Sequence, residues 1–140
     1  MPAVTPVKFH CLTLDLGNAL HNFSSHTLRL LLSLSAPSLS NTVRSNITEI
    51  AAGGGYTAGG LNLVIASWSQ TNGVARLFIN DHTFTATGNV ADFRYATCYN
   101  DTSATDPLLF YMDYGSTISG MTTNEQIVFD FDGTNGGIVL

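Results

Sequence analysis

From Thr27 onward apolar and polar residues alternate with a period of two, and the rhythm recurs in one segment after another. In Thr27–Ser35, leucines occupy positions 28, 30, 32 and 34, while Thr27, Arg29, Ser33 and Ser35 fall on the other side. Successive side chains of an extended chain point to opposite faces, so this pattern predicts a half-buried strand. Leu61–Ser69 and Val74–Ile79 are rich in β-branched and large apolar residues, with Asn72-Gly73 between them. Asn-Gly accommodates positive φ at both central positions of a type I′ turn, which predicts a tight hairpin. Phe93–Tyr99 sets Phe93, Tyr95 and Tyr99 against Arg94, Ala96 and Cys98, and Pro107–Tyr114 lines up Leu108, Phe110, Met112 and Tyr114. Ile127, Phe129 and Phe131 form another inward set, and Ile138-Val139-Leu140 reads as a short closing strand. Seven or eight such strands predict an all-β fold, an antiparallel β-sandwich or jelly-roll-like barrel. Helix is expected only as a turn or two within Thr13–Phe23, where Gly17 and the asparagines weaken it. Residues 1–26 lack the alternation and are expected to form an N-terminal arm or appended element, with 27–140 as a single β-sandwich domain.

A chain of 140 residues is long enough for one domain with a real core. Only 11% of its residues are charged, against roughly 25% in an ordinary domain. Ser, Thr, Asn and Gly fill the polar positions instead, and such a neutral surface packs against other protein with few ions to desolvate. The formal net charge is −5, and the five cations Lys8, Arg29, Arg44, Arg76 and Arg94 are scattered. Neutralising a phosphate backbone needs clustered cations, so no nucleic-acid partner is expected. Met1–Cys11 holds two prolines and no apolar run of signal-peptide length, which fits synthesis in the cytoplasm. Leu28–Leu34 is far short of a bilayer span, so no membrane partner is expected. Cys11 and Cys98 are expected to be unbridged, reduced residues.

The residues that carry chemistry do not converge. Asp130 and Asp132 share a strand face, a pattern that the solvent side of an edge strand already explains. Asp130–Asn135 departs from a calcium loop, because its glycine stands fourth rather than sixth. His10 adjoins Cys11 and His82 follows Asp81, but neighbours on a strand point apart. His21 and His26 lack ligand partners at a closed-site spacing. The expectation is a protein with no catalytic residues, no cofactor and no metal.

Two loops remain as candidate partner contacts. Residues 51–60 read Ala-Ala-Gly-Gly-Gly-Tyr-Thr-Ala-Gly-Gly, a shaped loop whose exposed candidates are Gly54, Gly55, Tyr56 and Thr57. Tyr56 is either an anchor for a partner's pocket or folded back onto its own sheet. Asn100–Pro107 joins two aromatic-rich strands and offers Asn100, Asp101 and Thr102 at its start.

Gly54–Gly60 followed by Leu61-Asn62-Leu63 resembles a family of small virion proteins of tailed bacteriophages. The resemblance continues through Phe93-Arg94-Tyr95-Ala96, Tyr99-Asn100-Asp101, Pro107-Leu108 and Tyr111-Met112-Asp113-Tyr114-Gly115, covering roughly residues 27–132. It implies a non-enzymatic capsid decoration or cement protein on the outer capsid surface, bound to the major capsid protein and commonly trimeric. The alternative is a tail or head-fibre module that recognises a host surface receptor; the single tryptophan, Trp68, lies inside an expected strand rather than at a loop tip.

Overall fold

A computed structural model of the chain describes residues 5–140. The protein is all-β, with ten strands among the described residues and one short helix. The strands are β1 (Val7–Lys8), β2 (Leu28–Ser33), β3 (Leu61–Asn62), β4 (Ile65–Thr71), β5 (Val74–Ile79), β6 (His82–Thr85), β7 (Phe93–Asn100), β8 (Leu108–Ile118), β9 (Gln126–Phe129) and β10 (Ile138–Val139). The helix, α1, spans Leu12–Gly17. A five-stranded sheet runs β1-β8-β7-β2-β3, a three-stranded sheet runs β10-β5-β4, and β6 pairs with β9. Every pairing is antiparallel. The count exceeds the expected seven or eight because the short strands β1 and β6 fall outside the expected set and Leu61–Ser69 is divided between β3 and β4, whereas the short closing strand expected at Ile138-Val139-Leu140 is present as β10.

One core joins the three sheets, with Leu28, Leu30, Leu32, Leu77, Phe84, Phe93, Phe110, Ile127, Phe129 and Phe131 among its members. A second, smaller cluster of Phe9, Leu31, Ile47, Tyr99 and Leu108 covers the opposite face of the five-stranded sheet. β2 is therefore buried on both sides, and the polar face expected for Thr27–Ser35 holds Leu31 and a buried Ser33. Leu34 corrects the expected inward set. β2 ends at Ser33, so Leu34 lies beyond the pleat and is 49% exposed.

The N-terminal segment, expected as an arm or appended element, packs against the sheets. β1 adds to β8 with Val7 opposite Tyr111 and Lys8 opposite Phe110. Phe9, Leu12 and Phe23 are buried, and the Lys8 ammonium donates to the Val139 carbonyl at 3.0 Å. Burying three large apolar side chains anchors residues 7–26 to the domain's core. Leu12–Gly17 is the only α-helix among the described residues and overlaps the expected Thr13–Phe23, beginning one residue before it.

The hairpin is a tight one. Asn72 and Gly73 have φ of 54° and 81°, and Thr71 faces Val74 across the turn. No atom lies within 4 Å of where a Gly73 Cβ would stand, so a side chain there meets backbone strain alone. Gly73→Val is expected to lower stability by about 1–3 kcal/mol in a denaturant melt. A variant that unfolds with the parent would contradict the turn geometry.

Candidate functional site

The glycine-rich segment is a clasp held from below. Gly53 and Tyr56 exchange backbone hydrogen bonds of 2.9 and 3.0 Å, closing a tight turn around Gly54 and Gly55. The Gly54 carbonyl accepts from the Thr87 amide at 2.9 Å, which ties the turn to the loop after β6. Tyr56 points inward and is 1% exposed. Its hydroxyl donates to Glu49 Oε1 at 2.8 Å and accepts from the Leu32 amide at 3.1 Å, satisfying both of its hydrogen-bonding roles. Of the two positions open to Tyr56 in the sequence, the chain uses the fold onto its own sheet. Burial holds its phenol well above the ordinary tyrosine range.

The second half of the clasp rests on charged side chains. Glu49 Oε1 also accepts from the Gly59 amide at 2.8 Å, and its Oε2 lies 3.6 Å from the Arg44 guanidinium. The Tyr99 hydroxyl donates to the Gly59 carbonyl at 2.6 Å, with the Arg44 guanidinium 5.3 Å from the Tyr99 ring centre. Burial pushes the Tyr99 phenol up to about 12, against the opposing pull of Arg44. Arg29 donates to the Gly60 carbonyl at 3.0 Å and lies 3.7 Å from Asp101. Arg29 thus links the glycine clasp to the Asn100–Pro107 loop, joining the two expected contact segments.

What remains outside is an uncharged rim: Ala51, Ala52, Gly53, Gly55, Thr57 and Ala58 are exposed. Beside it, Arg44, Ser45, Ile47, Glu49, Ala104, Thr105 and Asp106 border an open hollow of 420 Å³. Gly55, Thr57, Asp101 and Thr102 are available for contact, whereas Tyr56 and Asn100 are buried and Gly54 is half-buried. The sequence reading missed Arg29, Arg44 and Glu49. No local motif marks them: Arg29 reaches Gly60 and Asp101 across the sheet, and Arg44, Glu49 and Tyr56 lie five to seven residues apart in irregular chain that carries no period.

Asn100 belongs to β7 rather than to the loop, and it organises a second polar corner. Its Oδ1 accepts from the Thr102 and Ser103 amides at 3.1 and 3.2 Å, which fixes the amide's orientation. Its Nδ2 consequently faces the Leu20 carbonyl at 3.2 Å, His21 Nδ1 at 3.0 Å and His26 Nδ1 at 2.9 Å. An amide nitrogen only donates and has two hydrogens for these three neighbours, so an imidazole Nδ1 that bonds to it does so as an acceptor. His26 Nδ1 also accepts from the Asn22 amide at 3.2 Å. His21 stacks on Phe23, whose ring meets Trp68 edge-on at 4.9 Å. The corner therefore fastens residues 20–26 to β7 and β4.

Burial lowers the His21 pKa from its ordinary value; buried Asp15 opposes this, and His26 adds to it. With the folded value depressed, the unfolded chain takes up the proton first on acidification, so stability is lost as pH falls below ~6.5. The melting temperature should drop between pH 8 and pH 5. Asn100→Asp replaces the facing donor with an acceptor, so it should melt lower than the parent at pH 8 yet lose less on acidification. A parent whose melting temperature is flat across that range would contradict the corner's role.

The segments that carry the sequence resemblance meet in space. Tyr95 pairs with Asp113 and Ala96 with Met112 across β7 and β8. Arg94 forms a two-pronged ion pair with Asp113 at 2.8 and 3.1 Å, and Asp113 also accepts from the Gly115 amide. The Arg94 hydrogen bond lowers the Asp113 pKa from its ordinary value. These contacts shape the sheet.

Both cysteines are free, Cys98 fully buried and Cys11 partly so. Burial pushes the Cys11 thiol up to about 11, far from a reactive thiolate. Among the described residues, no cluster of three or more His, Cys, Asp or Glu side chains could hold a metal ion. No helix among them is long and apolar enough to cross a membrane. Comparison with protein-family models, with curated proteins and with solved structures gives no match for this chain.

Proposed function

We propose that this protein is a non-enzymatic structural component of a tailed-bacteriophage particle, a decoration or cement protein. In this reading it binds the major capsid protein on the outer surface of the shell and stabilises it. The observation that carries the reading is the glycine clasp of residues 53–60, which lies within the stretch that resembles phage virion proteins. Its backbone is pinned by Tyr56, Glu49, Tyr99 and Arg29, and its exposed rim has no charge. A surface held in one shape loses little entropy on binding, and a neutral one gives up little hydration. Such a rim suits a protein contact better than a charged ligand.

A small contact per copy holds a shell through number, with many copies each making several contacts at once. The resemblance implies trimers, which would supply that multiplicity. Attachment should weaken only modestly as salt rises, because few exposed ion pairs are there to be screened.

The test is co-sedimentation of the purified protein with empty capsid shells that lack it. Wild-type protein should pellet with the shells. Thr57→Glu combined with Ala58→Glu, both on the exposed rim, should abolish pelleting without lowering the melting temperature. Failure of the wild-type protein to pellet would overturn the reading. Binding instead to host cell envelopes would put a receptor-recognising fibre module in its place.

A further inference from the structure

The sheet β10-β5-β4 ends on β4, whose outer edge has no strand partner among the described residues. β4 has seven residues, Ile-Ala-Ser-Trp-Ser-Gln-Thr, with neither charge nor proline. The other strands with one edge wholly unpaired (β1, β3, β6, β9 and β10) have only two or four residues. Proteins that stay single guard a long edge with lysine, proline or a bulge. Here a bulge lies only at the start of the strand, between Ile65 and Ser67, and Ser67–Thr71 is regular.

The hairpin decides which backbone groups face outward. In a two-residue hairpin the flanking residues, here Thr71 and Val74, form a hydrogen-bonded pair, and such pairs recur at every second residue. Ser69 with Arg76 and Ser67 with Phe78 are the next ones in register. Gln70 and Trp68 therefore direct their N–H and C=O groups away from β5. An antiparallel copy of the same edge, centred on Ser69, brings Trp68 of each copy opposite Gln70 of the other. Each of these pairs can exchange both of its backbone bonds. Ser69 then faces Ser69, and Ser67 faces Thr71, so hydroxyls meet hydroxyls and no like charges oppose.

The surface next to the edge leaves room for the rest of the second hairpin. In this register Asn72 of one copy falls opposite Ala66 of the other. Beside Ala66 lies an open groove of 520 Å³, bordered by Ser24–Thr27 on one side and Leu63–Trp68 on the other. Val64, 60% exposed, is among its lining residues. The exposed Asn72-Gly73 turn of a second copy would enter that groove and cover Val64.

We infer that β4 is a self-pairing edge, through which two copies of this chain join about a two-fold axis at Ser69. Their two three-stranded sheets become one continuous sheet. The occupant is a second copy because the edge is complementary to itself in hydrogen bonding, length and neutrality. A charged foreign strand would find nothing on β4 to recognise it. This inference does not rest on the shell-binding reading, and it is tested on the purified protein alone.

The experiment is sedimentation equilibrium over a wide concentration range, paired with cysteine cross-linking. Wild-type protein should dimerise reversibly. Ser69→Lys, which opposes two lysines across the axis, should raise the dimer dissociation constant at least about tenfold, while its melting temperature matches the parent's at concentrations where both are monomeric. Ser69→Cys should form a covalent dimer under mild oxidation, because directly opposed residues of a non-hydrogen-bonded pair lie within disulfide reach. Thr123→Cys, in an exposed loop, should not. The inference is overturned by a wild-type protein that stays monomeric to its solubility limit. It is overturned equally by an oligomer that Ser69→Lys leaves intact, or by a Ser69→Cys variant that links no better than Thr123→Cys.

Discussion

Gly60→Ala is expected to destabilise the domain by roughly 2–6 kcal/mol, adding backbone strain to a backbone collision. Gly60 has φ of +90°, and a Cβ built on it would stand 2.2 Å from the Leu30 carbonyl oxygen. That oxygen belongs to β2, an inner strand of the five-stranded sheet, and cannot swing aside as a surface side chain can. The displaced segment is also the one whose carbonyls accept from Arg29 and Tyr99. Movement there loosens the clasp and the pairing of Leu61 with Leu30. Gly133→Ala provides the control, since no atom lies within 4 Å of its Cβ position. Denaturant melts should separate the two variants clearly. Equal stability would mean that the clasp does not cross β2 as closely as described.

Phe129→Ala is expected to lose about 3–5 kcal/mol, the range for emptying a fully buried aromatic site. Phe129 is 0% exposed and lies against Tyr114, the ring centres 5.9 Å apart and the planes inclined at 66°. His82, its cross-strand partner in β6, lies 6.4 Å away ring to ring. β9 has only four residues and one strand partner, so little else holds it to the core. A loss below about 1 kcal/mol in a calorimetric or denaturant melt would place this face outside the core.

The strands were legible where one face meets solvent and the other meets the core. Val74–Ile79 with its Asn72-Gly73 turn, and Ile127 with Phe129 and Phe131, follow that rule. Leu31 breaks it, because β2 is covered on both sides and a doubly buried strand carries no alternation. Residues 7–26 were hidden for a different reason. Phe9, Leu12 and Phe23 are spaced too irregularly to show a period, and their burial depends on partners near residue 110 and at Trp68. At the site, glycine density correctly marked a shaped loop. Its inward tyrosine and its support from Arg29, Arg44, Glu49 and Tyr99 were not legible, because these contacts are set by sheet topology rather than by neighbours in sequence. Asn100 looked like a loop residue for the same reason: its burial comes from His21 and His26, more than seventy residues upstream.

The most direct measurement is a density map of the intact phage particle that carries this protein. A decoration protein gives repeated copies of this fold on the outer face of the shell, with the rim of residues 51–58 turned towards the major capsid protein. A bare outer shell, with the fold found instead at the tail or on a fibre, would contradict a role in stabilising the capsid.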